Sequence, residues 1–179
     1  CNNLGSALKA QGNLDEAVAQ YLRALALRPS YAIAHSNIGA ALGELGKLEE
    51  AVVHYRQALA LQPAFAEAYN NLGNALKDQG KLEEAVAQYR QALALKPDYA
   101  EAMNNMGSAL QGQGKLEEGV AQYRQALALK PDYADAHSNL LFGLHYLPTY
   151  DSALLGTLYR EWNEKYARHL APTTVRPGG

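Results

Sequence analysis

Asparagines stand at a constant step of 34 residues, at Asn3, Asn37, Asn71, Asn105 and Asn139. Each carboxamide offers one acceptor and two donors and carries no charge. A row of them suits pairing with the N–H and C=O groups of an extended chain, and supplies neither a nucleophile nor a titratable proton. The residues just before them are polar too: Asn2, Asn70 and Asn104, with Ser36 and Ser138 in the other two places. Asn3, Asn37, Asn71, Asn105 and Asn139, with Asn70 and Asn104 beside them, are therefore the candidate binding residues. Asparagine is a poor residue inside a helix, because its side chain competes for nearby backbone groups, so its repetition calls for a reason other than local propensity.

Other chemistry is thinly represented, and no catalytic residue is assigned. The run Gly107 to Gly112, followed by Gln-Gly-Lys, lacks the Lys-Ser/Thr ending that a phosphate-cradling loop requires. The paired glutamates Glu49-Glu50, Glu83-Glu84 and Glu117-Glu118 fit the positive ends of helices better than acid–base catalysis. His35 and His137 hold the place that Tyr69 holds in another repeat, which favours packing, whereas His54, His145 and His169 stand alone in the chain. None has the short helical spacing of a zinc pair, and the single cysteine, Cys1, excludes a disulfide framework and cysteine-based zinc sites. No metal or cofactor is expected.

The 179 residues carry 16 Lys and Arg against 18 Asp and Glu. That near balance leaves no electrostatic footprint for nucleic acid or an anionic membrane surface, and no apolar run approaches the roughly 20 residues of a membrane span. Alanine (32) and leucine (28) make up a third of the chain, which favours helix over sheet.

The elements that position the asparagines follow from the period. Pro29, Pro63, Pro97 and Pro131 share the 34-residue step, as do Gly5, Gly39, Gly73 and Gly107, then Gly12, Gly46, Gly80 and Gly114, then Tyr21, Tyr55, Tyr89 and Tyr123. Residues 66–99 and 100–133 are identical at 28 of 34 positions. Within 66–99, Leu72 and Leu76 mark one face of a helix near 67–79. Gly80 ends that helix. Leu82, Ala85, Val86, Tyr89, Ala92 and Leu93 mark a second near 82–95, which Pro97 stops. Gly73 in mid-helix costs about 1 kcal/mol relative to alanine, and close approach of the paired helix is the expected compensation. One such pair cannot bury its own apolar faces, so neighbouring pairs must stack.

The pattern Tyr69-x2-Leu72-Gly73-x2-Leu76, then Ala85-x3-Tyr89, then Pro97 resembles the tetratricopeptide repeat (TPR), a 34-residue helix–turn–helix unit. The resemblance implies an all-α fold: an α-solenoid, wound as a right-handed superhelix, of TPR repeats at 1–31 (short at its start), 32–65, 66–99 and 100–133. Residues 134–170 read as a partial fifth repeat followed by a capping helix, because Leu141 and Pro148 replace the two glycines of the pattern. Leu155, Leu158, Tyr159, Trp162, Tyr166 and Leu170 form that helix's apolar stripe, with Trp162 expected against Leu141 or Leu144. Residues 171–179 read as a flexible tail. The chain opens on Cys1 rather than methionine, so further repeats upstream are expected, and the uncapped first helix invites self-association.

In this family the first helices line a concave groove, which turns the asparagine column into an inward ladder. With helices about 8–10 Å apart, one rung would meet roughly every third residue of an extended strand. The stretch HSNLLFGLHYLP (137–148), with Trp162 and Tyr166-Ala167 beyond it, is similar to the segment that follows the repeats in bacterial O-linked N-acetylglucosamine (O-GlcNAc) transferase-like proteins. The likeness implies a cytoplasmic arm that recruits protein or peptide substrates for a linked glycosyltransferase, with no enzyme inside these residues. The alternative is a free-standing TPR scaffold or co-chaperone. A clamp for a peptide C-terminus needs Lys and Arg in the groove, where this chain offers Asn2, Asn70, Asn104, Glu67 and Glu101.

Overall fold

The computed structural model describes residues 1–147 together with Gly156, Thr157, Tyr159, Arg160 and Trp162. Among the described residues there is no strand. Helices α1 (Asn2–Ala10), α3 (Ala32–Glu44), α5 (Ala66–Asp78), α7 (Ala100–Gly112) and α9 (Ala134–His145) are the first helices of successive repeats. Helices α2 (Leu14–Leu27), α4 (Leu48–Leu61), α6 (Leu82–Leu95) and α8 (Leu116–Leu129) are their partners. Each first helix packs on its own partner, and each partner packs on the next first helix. Successive first helices also touch one another, whereas successive second helices make no comparable contact. A stack that is tighter on one side curves toward that side, so the first helices form the inner wall of an all-α TPR-type solenoid.

The turns follow from two residue types. Gly12, Gly46, Gly80 and Gly114 adopt φ between 75° and 81°, a left-handed conformation that side-chain-bearing residues rarely take. The next N–H reaches back five residues to a core leucine carbonyl, as in Lys81 to Leu76 at 2.9 Å and Lys115 to Leu110 at 3.0 Å. This is the Schellman closure, and it satisfies carbonyls that a helix end leaves open. Second helices stop differently. Arg28, Gln62, Lys96 and Lys130 are extended, with ψ between 85° and 88°, because each precedes a proline that disfavours helical backbone before it. The glutamate pairs lie in the first turns of α4, α6 and α8, where the helix dipole favours negative charge.

The core is a lock between the glycine and tyrosine columns. A methyl group built on Gly5, Gly39, Gly73 or Gly107 would lie 2.5–2.8 Å from the ring of Tyr21, Tyr55, Tyr89 or Tyr123. Those rings are at most 4% exposed. The mid-helix glycine is thus the seat of an aromatic ring. Ala17, Ala51 and Ala85 pack at zero exposure beside it, and Gly119 replaces alanine in the fourth repeat, where an added methyl would meet the Gly107 carbonyl at 2.9 Å. In α9 the glycine register holds Leu141, buried with Leu144 and Leu147, and Leu144 and Leu147 pack with Val120 of α8. Gly156, Thr157, Tyr159, Arg160 and Trp162 are helical and Trp162 is half-buried. The rest of the expected capping helix and the tail 171–179 lie outside the described residues.

Candidate functional site

The asparagines divide into two columns with different surroundings. Asn37, Asn71, Asn105 and Asn139 are half-buried and Asn3 is exposed. Asn70 and Asn104, one residue earlier, are only 5% and 6% exposed. The Nδ2 of Asn37 donates to Asn2 Oδ1 at 3.1 Å, Asn105 to Asn70 at 3.0 Å, and Asn139 to Asn104 at 3.0 Å. Each bond crosses from one first helix to the preceding one, along the seam of the inner wall. The inner column therefore has a structural task that its sequence did not disclose: it holds the next rung by one N–H. That leaves the rung's Oδ1 and its second N–H for other partners.

The ladder is interrupted once. Between α3 and α5 the inner position is Ser36, buried at 6% exposure, whose short hydroxyl makes no bond of this kind to Asn71. Asn71 Oδ1 instead accepts a long bond, 3.4 Å, from Asn70 on its own helix. Beside this interruption lies a recess of about 440 Å³. Its lining includes Lys9 of α1, Ala40, Gly43 and Glu44 of α3, Tyr55 of α4 and Asn71, Asn74 and Asp78 of α5. Lys9 and Glu44 form an ion pair across its rim.

The buried tyrosines differ in how their hydroxyls are answered. Tyr89 donates to Asn74 Oδ1 at 2.7 Å, Tyr123 to Gln111 Oε1 at 2.8 Å and Tyr21 to Ser6 Oγ at 3.3 Å. Burial pushes the Tyr123 hydroxyl up to about 12. Tyr55 is raised by burial first and by the Glu44 carboxylate second, so the Tyr55 and Tyr123 hydroxyls remain protonated donors at neutral pH.

His54 is isolated in the chain but not in space: its Nδ1 lies 3.1 Å from His35 Nδ1 across the α3–α4 pair. Burial lowers the pKa of both rings. The neighbouring His35 lowers His54 further and Glu50 opposes, while a hydrogen bond to the Pro29 carbonyl opposes at His35. His137 Nε2 meets the Pro131 carbonyl at 3.0 Å. Among the described residues no cluster of three His, Cys, Asp or Glu side chains could hold a metal ion, and no helix is long and apolar enough to cross a membrane.

A curved stack of helix pairs with a carboxamide-lined inner wall defines a helical-repeat module of the kind used for protein interaction. The family model described as TPR repeat matches residues 5–46, 42–80, 73–114 and 112–140, and the chain belongs to the tetratricopeptide repeat family. The solved structure of MamA is similar at 20% identity and a TM-score of 0.79, covering 93% of this chain and 96% of that one. YrrB, described as a TPR protein with an unusual peptide-binding site, is 22% identical with a TM-score of 0.73, over 94% of this chain and 86% of that one. At such identities the likeness concerns fold alone. The O-GlcNAc transferase of Thermobaculum terrenum is 30% identical with a TM-score of 0.72, over 75% of this chain but only 26% of that one. No curated protein matches this chain.

Proposed function

We propose that the inner wall grips extended protein segments through Asn3, Asn37, Asn71, Asn105 and Asn139, with Asn70 and Asn104 orienting the rungs from behind. The observation that carries this reading is the inter-helix amide chain at 3.0–3.1 Å. It fixes the orientation of Asn37, Asn105 and Asn139 before a ligand arrives, so less side-chain freedom is lost on binding. Backbone pairing of this kind is indifferent to ligand sequence. In this reading the module is the cytoplasmic substrate-recruiting arm of an O-GlcNAc transferase-like glycosyltransferase. The support is the 30% identity to the Thermobaculum terrenum enzyme and the 137–148 stretch. Leu4, 52% exposed at the open end of α1, gives a second copy of the chain an apolar surface to cover.

The test is the triple substitution Asn37→Ala, Asn71→Ala and Asn105→Ala, assayed against several unrelated peptides. Affinity for all of them should fall together by roughly ten- to a thousandfold, since each hydrogen bond contributes about 0.5–1.5 kcal/mol. Undiminished binding by a folded triple variant would overturn the ladder. A glycosyltransferase domain encoded after Gly179 would support the finer assignment, and a different domain there would count against it.

A further inference from the structure

The second repeat withholds from its own tyrosine what the third and fourth supply. Position 40 is the equivalent of Asn74, and position 43 the equivalent of Gln111. Asn74 and Gln111 each place a carboxamide oxygen on a tyrosine hydroxyl, at 2.7 and 2.8 Å. In the second repeat both side chains are missing, because the residues are Ala40 and Gly43. Tyr55, 4% exposed, has its ring seated on Gly39 and lines the recess that the two small residues open. No side chain of the described residues answers its hydroxyl. Asn71, on the opposite wall, is also the rung whose Nδ2 lacks an inner-column acceptor, since Ser36 stands where Asn70 and Asn104 stand elsewhere. Tyr55 and Asn71 thus offer two donors to one recess, whose lining also carries Lys9 and the Glu44 and Asp78 carboxylates.

We infer that this recess receives a carboxamide side chain, glutamine or asparagine, from a segment bound along the groove. The ligand supplies in trans the acceptor that Asn74 and Gln111 supply in cis. Its oxygen accepts from Tyr55 and Asn71, and its NH₂ donates to Asp78 or Glu44. A glutamate side chain would match the two donors, but Lys9 in the lining is already paired with Glu44 and the added charge would meet the Asp78 carboxylate. An alkyl side chain would leave a buried hydroxyl unanswered, which is costly. An arginine carries no acceptor. The inference rests on the groove reading above and adds one sequence-selective pocket to an otherwise sequence-blind ladder.

The experiment compares short Gly/Ser/Ala peptides that are identical except for one central residue, Gln, Glu or Ala, titrated against the full chain by NMR or calorimetry. The Gln peptide should bind about two- to tenfold more tightly than the Ala peptide, with the Glu peptide weakest. Gly43→Gln and Ala40→Asn restore the internal acceptor. A methyl built on Gly43 has nothing within 4 Å, so the first of these should fold as the parent does. Both variants should bring the Gln peptide down to the Ala peptide's affinity without altering the latter. Equal binding of all three peptides by the unmodified chain overturns the recess and leaves the ladder standing. No binding of any peptide overturns both. A Gln preference that survives Gly43→Gln and Ala40→Asn places the selectivity elsewhere and overturns the recess.

Discussion

In the third repeat the Tyr89 hydroxyl closes on Asn74 at 2.7 Å, and in the second the equivalent Tyr55 faces an open recess beside Ala40 and Gly43. The rings themselves are seated alike, on Gly39 and Gly73, with near-identical clearances of 2.8 and 2.5 Å. Packing and polar closure are therefore separable in this repeat. The glycine–tyrosine lock holds the helix pair together, and the residues one and four positions beyond the glycine on the first helix decide whether the groove wall is sealed. The solenoid tolerates an unsealed repeat because its stability is a sum over neighbouring units, and the lock is intact in both.

If the lock is common to both repeats, breaking it should cost both alike. Gly39→Ala and Gly73→Ala each force a methyl into an aromatic ring, and overpacking of this sort costs about 1–3 kcal/mol. Chemical denaturation should show comparable losses for the two. A loss confined to one would mean that the rings are not equivalently held.

The ladder separates the same two regions. Asn105→Ala removes the donor that answers the buried Asn70 oxygen, and an unanswered buried acceptor costs about 1–3 kcal/mol. Asn71 makes no such inter-helix bond among the described residues and accepts only the long 3.4 Å bond from Asn70 on its own helix. Asn71→Ala should therefore cost less than Asn105→Ala, about 1 kcal/mol at most after the gain in helix propensity. Thermal melts of the two single variants check this directly, and equal losses would show that the interruption at Ser36 has no energetic meaning.

Removing one oxygen sharpens the contrast further. Tyr89→Phe deletes a hydrogen bond contributing about 0.5–1.5 kcal/mol, whereas Tyr55→Phe deletes a hydroxyl with no acceptor among the described residues and should leave stability unchanged or slightly higher. A double-mutant cycle of Tyr89→Phe with Asn74→Ala should recover the coupling, and one of Tyr55→Phe with Asn71→Ala should give none.

The period, the helix bounds near 67–79 and 82–95, the turn glycines and the stop at Pro97 were legible in the sequence because each follows from local backbone rules repeated in register. The observed α5 and α6, Ala66–Asp78 and Leu82–Leu95, differ from those bounds by at most a residue. The glycine and tyrosine columns were legible separately, but that each glycine seats a particular ring depends on how two helices cross, which no single-helix pattern encodes. The roles of Asn70 and Asn104 were hidden for the same reason: their partners lie 35 residues away. The recess did leave a signal, the loss of both Asn74-like and Gln111-like residues at positions 40 and 43. So did the imidazole pair, since the positions of His35 and His54 hold Tyr69 and Gln88 in the next repeat. Neither signal has meaning until the two helices are known to face each other at those positions.

That imidazole pair gives the smallest effect that distinguishes the two repeats. The second repeat holds two half-buried imidazoles with ring nitrogens 3.1 Å apart, while the third has no titratable imidazole at either place. Both histidines are lowered from the ordinary 6.5 by burial, so between the unfolded and folded values the unfolded chain binds more protons than the folded one. Stability contributed by the pair is thus complete above about 6.5, declines as the pH falls through the lowered folded values, and levels off below them. His54→Gln, which restores the residue found at position 88, should flatten this part of the stability–pH curve and leave stability at neutral pH nearly unchanged. Fraying under mild acid should begin in α3 and α4, read by amide hydrogen exchange, before it reaches α5 and α6. Protection lost first in α5 and α6, or a curve unaffected by His54→Gln, would remove the pair from the account of how the second repeat differs from the third.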